Sequence, residues 1–171
     1  MPDSSSTEQS IDLPFTFTRR ASPLPADLRP AYRLAILVLI IEHCRGGKAS
    51  VEQLHVLDWS IRTAESRHLF IDFINGKKTP SDIIIRYDPS LSRAIDFALA
   101  EALITQREAA VAGKKAPSTS VFRFSLTTKG KAVLKELMGM DDCLEEEKIF
   151  LEDIGTRITQ EQIRGLFKWG S

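Results

Sequence analysis

The feature that most constrains this chain is an unbroken apolar run of eight residues at positions 34–41, Leu-Ala-Ile-Leu-Val-Leu-Ile-Ile. A helix that is apolar on every side has to be surrounded by other elements of the fold. The run is too short to cross a bilayer, which takes about 20 residues. It therefore predicts a central buried helix in a globular domain, ended by Gly46 or Gly47 because glycine adopts a left-handed cap cheaply.

Further helices are predicted from capping residues that precede apolar residues at helical spacing. Five such positions occur along the chain: Ser50, Thr63, Asp88, Thr127 and Thr159. Their side-chain oxygens can accept hydrogen bonds from the unpaired N–H groups of a first helical turn. Another helix is predicted over residues 142–154. The isoleucines and tyrosine of residues 83–87 predict a short strand, since β-branched and aromatic residues favour strands.

A β-hairpin is predicted between the fourth and fifth helices. Residues 103–108 and 121–126 have strand character, and the connecting loop carries glycine, proline and two lysines. The predicted fold is mainly α with this small hairpin, a winged helix-turn-helix with appended C-terminal helices. We divide the chain into a flexible or extended arm (1–30), a winged-helix domain (31–139) and a helical extension (140–171) that packs on the domain or on a partner.

The charge pattern gives an uneven surface although the formal net charge is zero. Residues 107–135 contain seven basic side chains and one acid, whereas residues 141–153 contain seven acids and one lysine. A neutral chain does not by itself predict a nucleic-acid partner. The side chains best suited to DNA contact, mostly to the phosphate backbone without base reading, are Arg93, Lys114, Lys115 and Arg123.

We find no sequence pattern that indicates catalysis, a metal or another cofactor. The three histidines, at positions 43, 55 and 68, fall on different predicted helices without metal-ligand spacing. Phosphate-loop, nucleophile-elbow and dinucleotide motifs do not occur. Cys44 and Cys143 lack redox spacing, and the N-terminus does not resemble a secretory signal. These observations predict a cytoplasmic protein without enzymatic activity or membrane contact.

Aromatic and basic residues near both ends of the chain are candidates for contact with another protein. They are Phe15, Phe17, Arg19, Arg20, Phe167 and Trp169. Large aromatic side chains and arginine supply much of the binding energy at protein interfaces. The alternative is that the aromatic residues lie on the protein's own core.

One short segment resembles winged-helix regulators. Residues 124–130, Phe-Ser-Leu-Thr-Thr-Lys-Gly, with the following Ala132, Val133, Leu134 and Leu137, are similar to the end of the wing and the next helix in PadR-like and MarR-like proteins. This resemblance extends over about residues 88–138. It implies a winged-helix body that binds DNA or another macromolecule.

A wider resemblance is to the middle component of bacterial ABC-three-component conflict systems, which are related to Lamassu-type defence. The similar segments are residues 30–35, 44–50, 52–57, 86–89 and the ending from 148–151 to Trp169. The resemblance implies an adaptor that bridges an SMC-like ABC ATPase and an effector in anti-phage or anti-plasmid immunity. The competing interpretation is a homodimeric transcription regulator whose C-terminal helices form the dimer interface.

Overall fold

The computed structural model describes residues 29–109, 121–154 and 157–166, which form a mainly helical fold with one small antiparallel sheet. The helices are α1 (Pro30–His43), α2 (Val51–Ile61), α3 (Ala64–Ile74), α4 (Pro89–Ala100), α5 (Thr128–Met138), α6 (Glu145–Ile154) and α7 (Gln160–Leu166). The strands are β1 (Lys48–Ser50), β2 (Ile104–Ala109) and β3 (Val121–Leu126). A mainly α fold with a hairpin is therefore confirmed, while the predicted arm falls almost entirely outside the described residues.

Helix α1 is the centre of the core, as its apolar run predicts. Residues 36–41 are each at most 1% exposed, and α1 contacts α2, α4, α5, α6 and β3. The helix ends at His43, and the buried cap residue Cys44 donates its N–H to the carbonyl oxygens of Ile40 and Ile41. Gly46 and Gly47 follow with φ of 72° and 62°, so both glycines are left-handed. The prediction that one of them caps the helix is wrong, because the cap is Cys44 in an extended conformation.

The sheet has the strand order β1-β3-β2, with both pairs antiparallel. In the hairpin, Ile104 lies opposite Leu126 and Arg107 lies opposite Arg123. Strand β1 was not predicted, because three residues are too few to show an alternating pattern. It pairs with β3 so that buried Ala49 lies opposite buried Phe124.

The strand predicted at residues 83–87 is wrong. Thr79 instead caps a 3-10 turn at Pro80–Asp82, and the chain then runs on to α4 without strand pairing among the described residues. Ile83 and Ile85 are buried while Ile84 is exposed. The apolar pattern therefore reflects burial of Ile83 and Ile85 in the hydrophobic core, which both a strand and an irregular segment can provide. We call residues 83–88 the linker segment.

The two C-terminal helices pack on the same core as the rest of the protein. Helix α6 contacts α1 and α2, and α7 contacts α2 and the 3-10 turn. Helix α6 begins three residues later than predicted because Asp142 and Leu144 have φ of 61° and 57°, which a right-handed helix does not allow. None of the described helices has the length and apolar character that crossing a membrane requires.

Candidate binding site: the arginine cleft

An open cleft of about 660 Å³ lies where the N-terminal end of α4 meets the linker segment, α1 and the end of α2. Its lining combines four arginines with two aromatic side chains and their neighbours: Arg33, Trp59, Arg62, Ile84, Arg86, Tyr87, Asp88, Pro89, Ser90 and Arg93. We call this site the arginine cleft.

A network of two arginines and two aspartates lies at the cleft, and all of its members except the buried Asp58 line it. Arg33 of α1, 4% exposed, donates from Nη1 to the two carboxylate oxygens of Asp58 at 2.7 and 2.9 Å. Its Nη2 donates to Oδ2 of Asp88 at 3.0 Å. Arg62, which directly follows α2, contacts both aspartates as well. Because each buried charge has an opposite charge within hydrogen-bond distance, the network fixes α1, α2 and the start of α4 relative to one another.

Asp88 also caps α4, as the sequence predicts. Its Oδ1 accepts hydrogen bonds from the backbone N and Oγ of Ser90 at 2.8 and 2.7 Å. Burial would raise the pKa of this carboxyl group, but the Ser90 hydrogen bonds and the charge of Arg62 outweigh burial. The pKa of Asp88 is consequently held well below its usual range, and the side chain is ionised at neutral pH.

His55 lies directly behind the linker segment. Its ring meets that of Tyr87 edge-on, with the centroids 4.5 Å apart, and its Nδ1 accepts a hydrogen bond from the backbone N of Asp88 at 3.4 Å. Burial lowers the pKa of His55, and the opposing effects of Asp58 and Asp88 do not reverse the shift. A neutral imidazole is the form that can accept this hydrogen bond, so His55 supports the backbone of the linker segment.

The other two histidines are also held by local hydrogen bonds. Nδ1 of His43 bonds to the carbonyl oxygen of Leu39 at 2.9 Å, and Nδ1 of His68 bonds to that of Ala64 at 2.7 Å. Over residues 29–109, 121–154 and 157–166, no three histidine, cysteine or acidic side chains are grouped so that they could hold a metal ion.

The outer edge of the cleft is basic and apolar. Arg86 and Arg93 are exposed, and within the described part of the chain neither forms an ion pair or side-chain hydrogen bond. Beside them Ile84 is 68% exposed and Tyr87 is 54% exposed. The cleft therefore presents guanidinium groups and apolar surface to the same ligand.

A second, smaller groove of about 390 Å³ separates α3 from α6. Ile71, Ile149 and Phe150 give it an apolar lining, and an ion pair between Arg67 and Glu146 lies at its edge. None of the residues that line this groove also lines the arginine cleft. We call it the α3–α6 groove.

Of the residues predicted from sequence to contact a partner, only Arg93 lines the arginine cleft. Arg123 lies on β3 opposite Arg107 and does not line it. The remaining predicted residues fall outside the described residues: Lys114, Lys115, Phe15, Phe17, Arg19, Arg20, Phe167 and Trp169.

Sequence reasoning missed the residues that build the cleft, above all Arg33 and Asp58. A signal was present, because Arg33 directly precedes the apolar run and Asp58 follows Leu57 in an apolar stretch of α2. A charged side chain at a core-facing helical position needs a buried partner of opposite charge. The sequence does not say which residue that partner is.

No protein-family model, curated protein or solved structure matches this chain.

Proposed function

We propose that this protein is a non-enzymatic adaptor that binds other proteins, with the arginine cleft as its principal contact surface. The observation that carries the proposal is the grouping of Trp59, Tyr87, Arg86 and Arg93 around one cleft. Tryptophan, tyrosine and arginine are the residues most enriched among those that dominate binding energy at protein interfaces. The buried ion network holds the surface in place, which reduces the conformational entropy lost on binding.

The winged-helix interpretation of the body is part of this proposal. The order of elements supports it: a hairpin follows α4, and α5 begins directly after the second hairpin strand. Strand β1, between the first two helices, adds to the hairpin as a third strand. In this interpretation α4 corresponds to the recognition helix of a winged-helix protein, and the hairpin corresponds to the wing.

The exposed side of α4 favours a protein partner over DNA. Arg93 is joined there by Asp96, whose charge would repel phosphates, and by the exposed aromatic ring of Phe97. An exposed phenylalanine contributes little to reading the major groove, where specific contacts are mainly hydrogen bonds. Beside arginine it is a typical component of a protein interface.

The resemblance to ABC-three-component systems gives the proposal its partners: an SMC-like ABC ATPase and an effector subunit of a cytoplasmic anti-phage or anti-plasmid complex. An adaptor that bridges two proteins needs two separate contact surfaces. The arginine cleft and the α3–α6 groove, which share no lining residue, satisfy this requirement.

Affinity purification of the full chain from its native host, followed by mass spectrometry, tests the adaptor role. We expect an SMC-like ATPase to copurify in a defined stoichiometry that gel filtration reproduces with the recombinant proteins. Recovery of the protein alone, as a dimer, would contradict the role.

A homodimeric DNA-binding regulator is the second candidate function. It is favoured by Arg107 and Arg123, which lie directly opposite each other on β2 and β3 without an acidic partner in the described ranges. Like charges directly opposite each other destabilise a sheet, and a bound phosphate would relieve their repulsion.

A gel-shift assay with random duplex DNA tests this second candidate. Tight selection of one palindromic sequence would favour the regulator. Weak binding that disappears as salt increases would indicate only nonspecific backbone contact, to which Lys114 and Lys115 would also contribute.

A further inference from the structure

The arginine cleft carries more positive charge than its own acids neutralise. Arg33 and Arg62 are matched by Asp58 and Asp88. Arg86 and Arg93 line the same cleft and have no acidic partner among the residues that the structure describes. A ligand that fits the charge of this surface is therefore acidic.

The same surface also requires an apolar ligand group. Ile84 and Tyr87 are more than half exposed beside the two arginines, and Trp59 forms another side of the cleft. Covering such side chains removes apolar surface from water, which is favourable. A nucleic-acid backbone supplies negative charge but no apolar side chain for Ile84.

The size of the cleft limits how much of a ligand it holds. Sites of about 300–1,000 Å³ typically accommodate a group the size of a drug molecule. The volume of about 660 Å³ is therefore suited to a few consecutive side chains of a peptide. A globular partner would insert one segment here and use other contacts elsewhere.

We propose that the arginine cleft binds a short acidic peptide segment of a partner protein. A carboxylate of the segment pairs with Arg86 and Arg93, and a nearby aliphatic or aromatic side chain packs on Trp59, Ile84 and Tyr87. Planar guanidinium groups suit this role because they bind carboxylates through paired hydrogen bonds. This inference rests on the proposed adaptor function and specifies the chemistry of the partner.

A random dodecapeptide library displayed on phage and panned against the full-length protein provides the first test. We expect enrichment of peptides in which Asp or Glu lies within three positions of Phe, Leu or Ile. Binding of a synthetic enriched peptide is then followed by NMR through the indole N–H signals of the two tryptophans. The Trp169→Phe variant assigns these signals, and the Trp59 signal should shift on binding.

Charge reversal at the edge of the cleft provides the second test. We expect Arg86→Glu and Arg93→Glu each to weaken binding of the enriched peptide at least about tenfold, because each removes a charge-assisted hydrogen bond. The control is Lys131→Glu, an equal change in charge at an exposed position on α5, which should leave affinity within about twofold. Circular dichroism verifies that each variant is folded.

Four results would overturn the inference: no enrichment, enriched peptides without acids, binding that both arginine variants retain, or a shift of the Trp59 signal by oligonucleotides and not by peptides.

Failure of the adaptor function is distinguishable from these. If enriched peptides bind as expected but no ATPase copurifies, the ligand chemistry stands and the adaptor role falls. If the ATPase copurifies but no acidic peptide binds, the adaptor role stands and the proposed ligand chemistry falls.

Discussion

Asp58 is the residue on which the buried charge network depends most. It is 2% exposed and accepts hydrogen bonds from both Arg33 and Arg62. Arg33 reaches Asp88 with its second terminal nitrogen, but its Nε has no hydrogen-bond partner among the residues that the structure describes. Without Asp58 the buried guanidinium of Arg33 would therefore lose most of the hydrogen bonds and opposite charge that offset its burial.

We expect Asp58→Ala to lower the free energy of unfolding by about 3–5 kcal/mol, the usual cost of breaking a buried ion pair by removing one partner. Urea denaturation measures the change. Asp153→Ala is the control, because its pair with Arg157 is exposed on both sides and should cost less than about 1 kcal/mol. Equal losses in the two variants would show that the buried network does not stabilise the fold.

Asp88 should make part of the stability depend on pH. Its pKa is lower in the folded protein than the ordinary value of 3.8 that applies to the unfolded chain. The stabilisation is therefore fully present at about pH 5 and above, and it is lost progressively as the pH falls through 3.8 toward the folded-state pKa. Urea unfolding at pH 5, 4 and 3 should show this decline in the wild type.

The Asp88→Asn variant should be less stable than the wild type at pH 7 but should lose less stability between pH 5 and pH 3. Asparagine keeps the ability to cap a helix and cannot be protonated in this range. If the free energy of unfolding fell equally in the wild type and the variant between pH 5 and pH 3, Asp88 would not be the source of the pH dependence.

At the scale of elements, the contact between α5 and the hairpin depends on a close backbone approach. The hydroxyl of Thr127 donates to the carbonyl oxygens of Ala102 and Leu103 at 2.6 and 3.1 Å. Gly130, one turn on, lies so near Leu103, the residue before β2, that an added Cβ would be 2.1 Å from the carbonyl oxygen of Leu103. Only glycine permits this approach, because the obstructing atom is backbone.

Gly130→Ala should consequently lower the free energy of unfolding by about 1–3 kcal/mol, as in other cases of overpacking. Gly139, at the other end of α5, is a matched control. A Cβ there would make ordinary contacts at 3.5 Å, and φ is −84°. Gly139→Ala should be neutral or slightly stabilising. Thermal unfolding compares the two variants, and equal midpoints would refute the argument from close approach.

The elements that could be predicted from sequence are those fixed by local chemistry. The capping boxes at Ser50 and Thr159 join side chains three residues apart, so the sequence shows both partners together. Strand β1 could not be predicted, because its three residues are strand-like only through pairing with the distant β3. The isoleucines of the linker segment predict a strand wrongly, because burial in the core favours the same side chains whether or not the backbone pairs in a sheet.

The candidate site likewise contains some residues whose roles local sequence predicts and others that only the fold brings together. Asp88 as a cap and Arg93 as an outward side chain follow from their places on one helix. The ion network could not be predicted from local sequence, because Arg33 is 25 residues from Asp58 and 55 from Asp88 in the chain. Many aspartates lie at such separations, so only the packed fold identifies the pairs.

At the scale of the whole molecule, one hydrophobic cluster runs from α1 to α7. Leu151 of α6 is fully buried in this cluster, although it belongs to the C-terminal part of the chain. The C-terminal helices should therefore unfold together with the rest of the protein in a single transition.

Leu151→Ala should lower the free energy of unfolding by about 2–5 kcal/mol, the range for truncating a buried leucine. Ile149→Ala, at an exposed position on the same helix, should change it by less than about 0.5 kcal/mol. Urea unfolding followed by both circular dichroism and tryptophan fluorescence measures the change. A separate early transition in either signal would show that the C-terminal helices unfold on their own.

The position of Cys44 gives the protein an intrinsic probe of core opening. Burial raises the pKa of its thiol to about 12, so the reactive thiolate is scarce as well as shielded. Cys143 is partly exposed. Iodoacetamide should therefore alkylate Cys143 in the native protein and reach Cys44 only after α1 separates from its neighbours. Where alkylation is slower than reclosing, the rate at which mass spectrometry detects the second adduct would report the fraction of molecules in the separated state, with no dye or isotope attached.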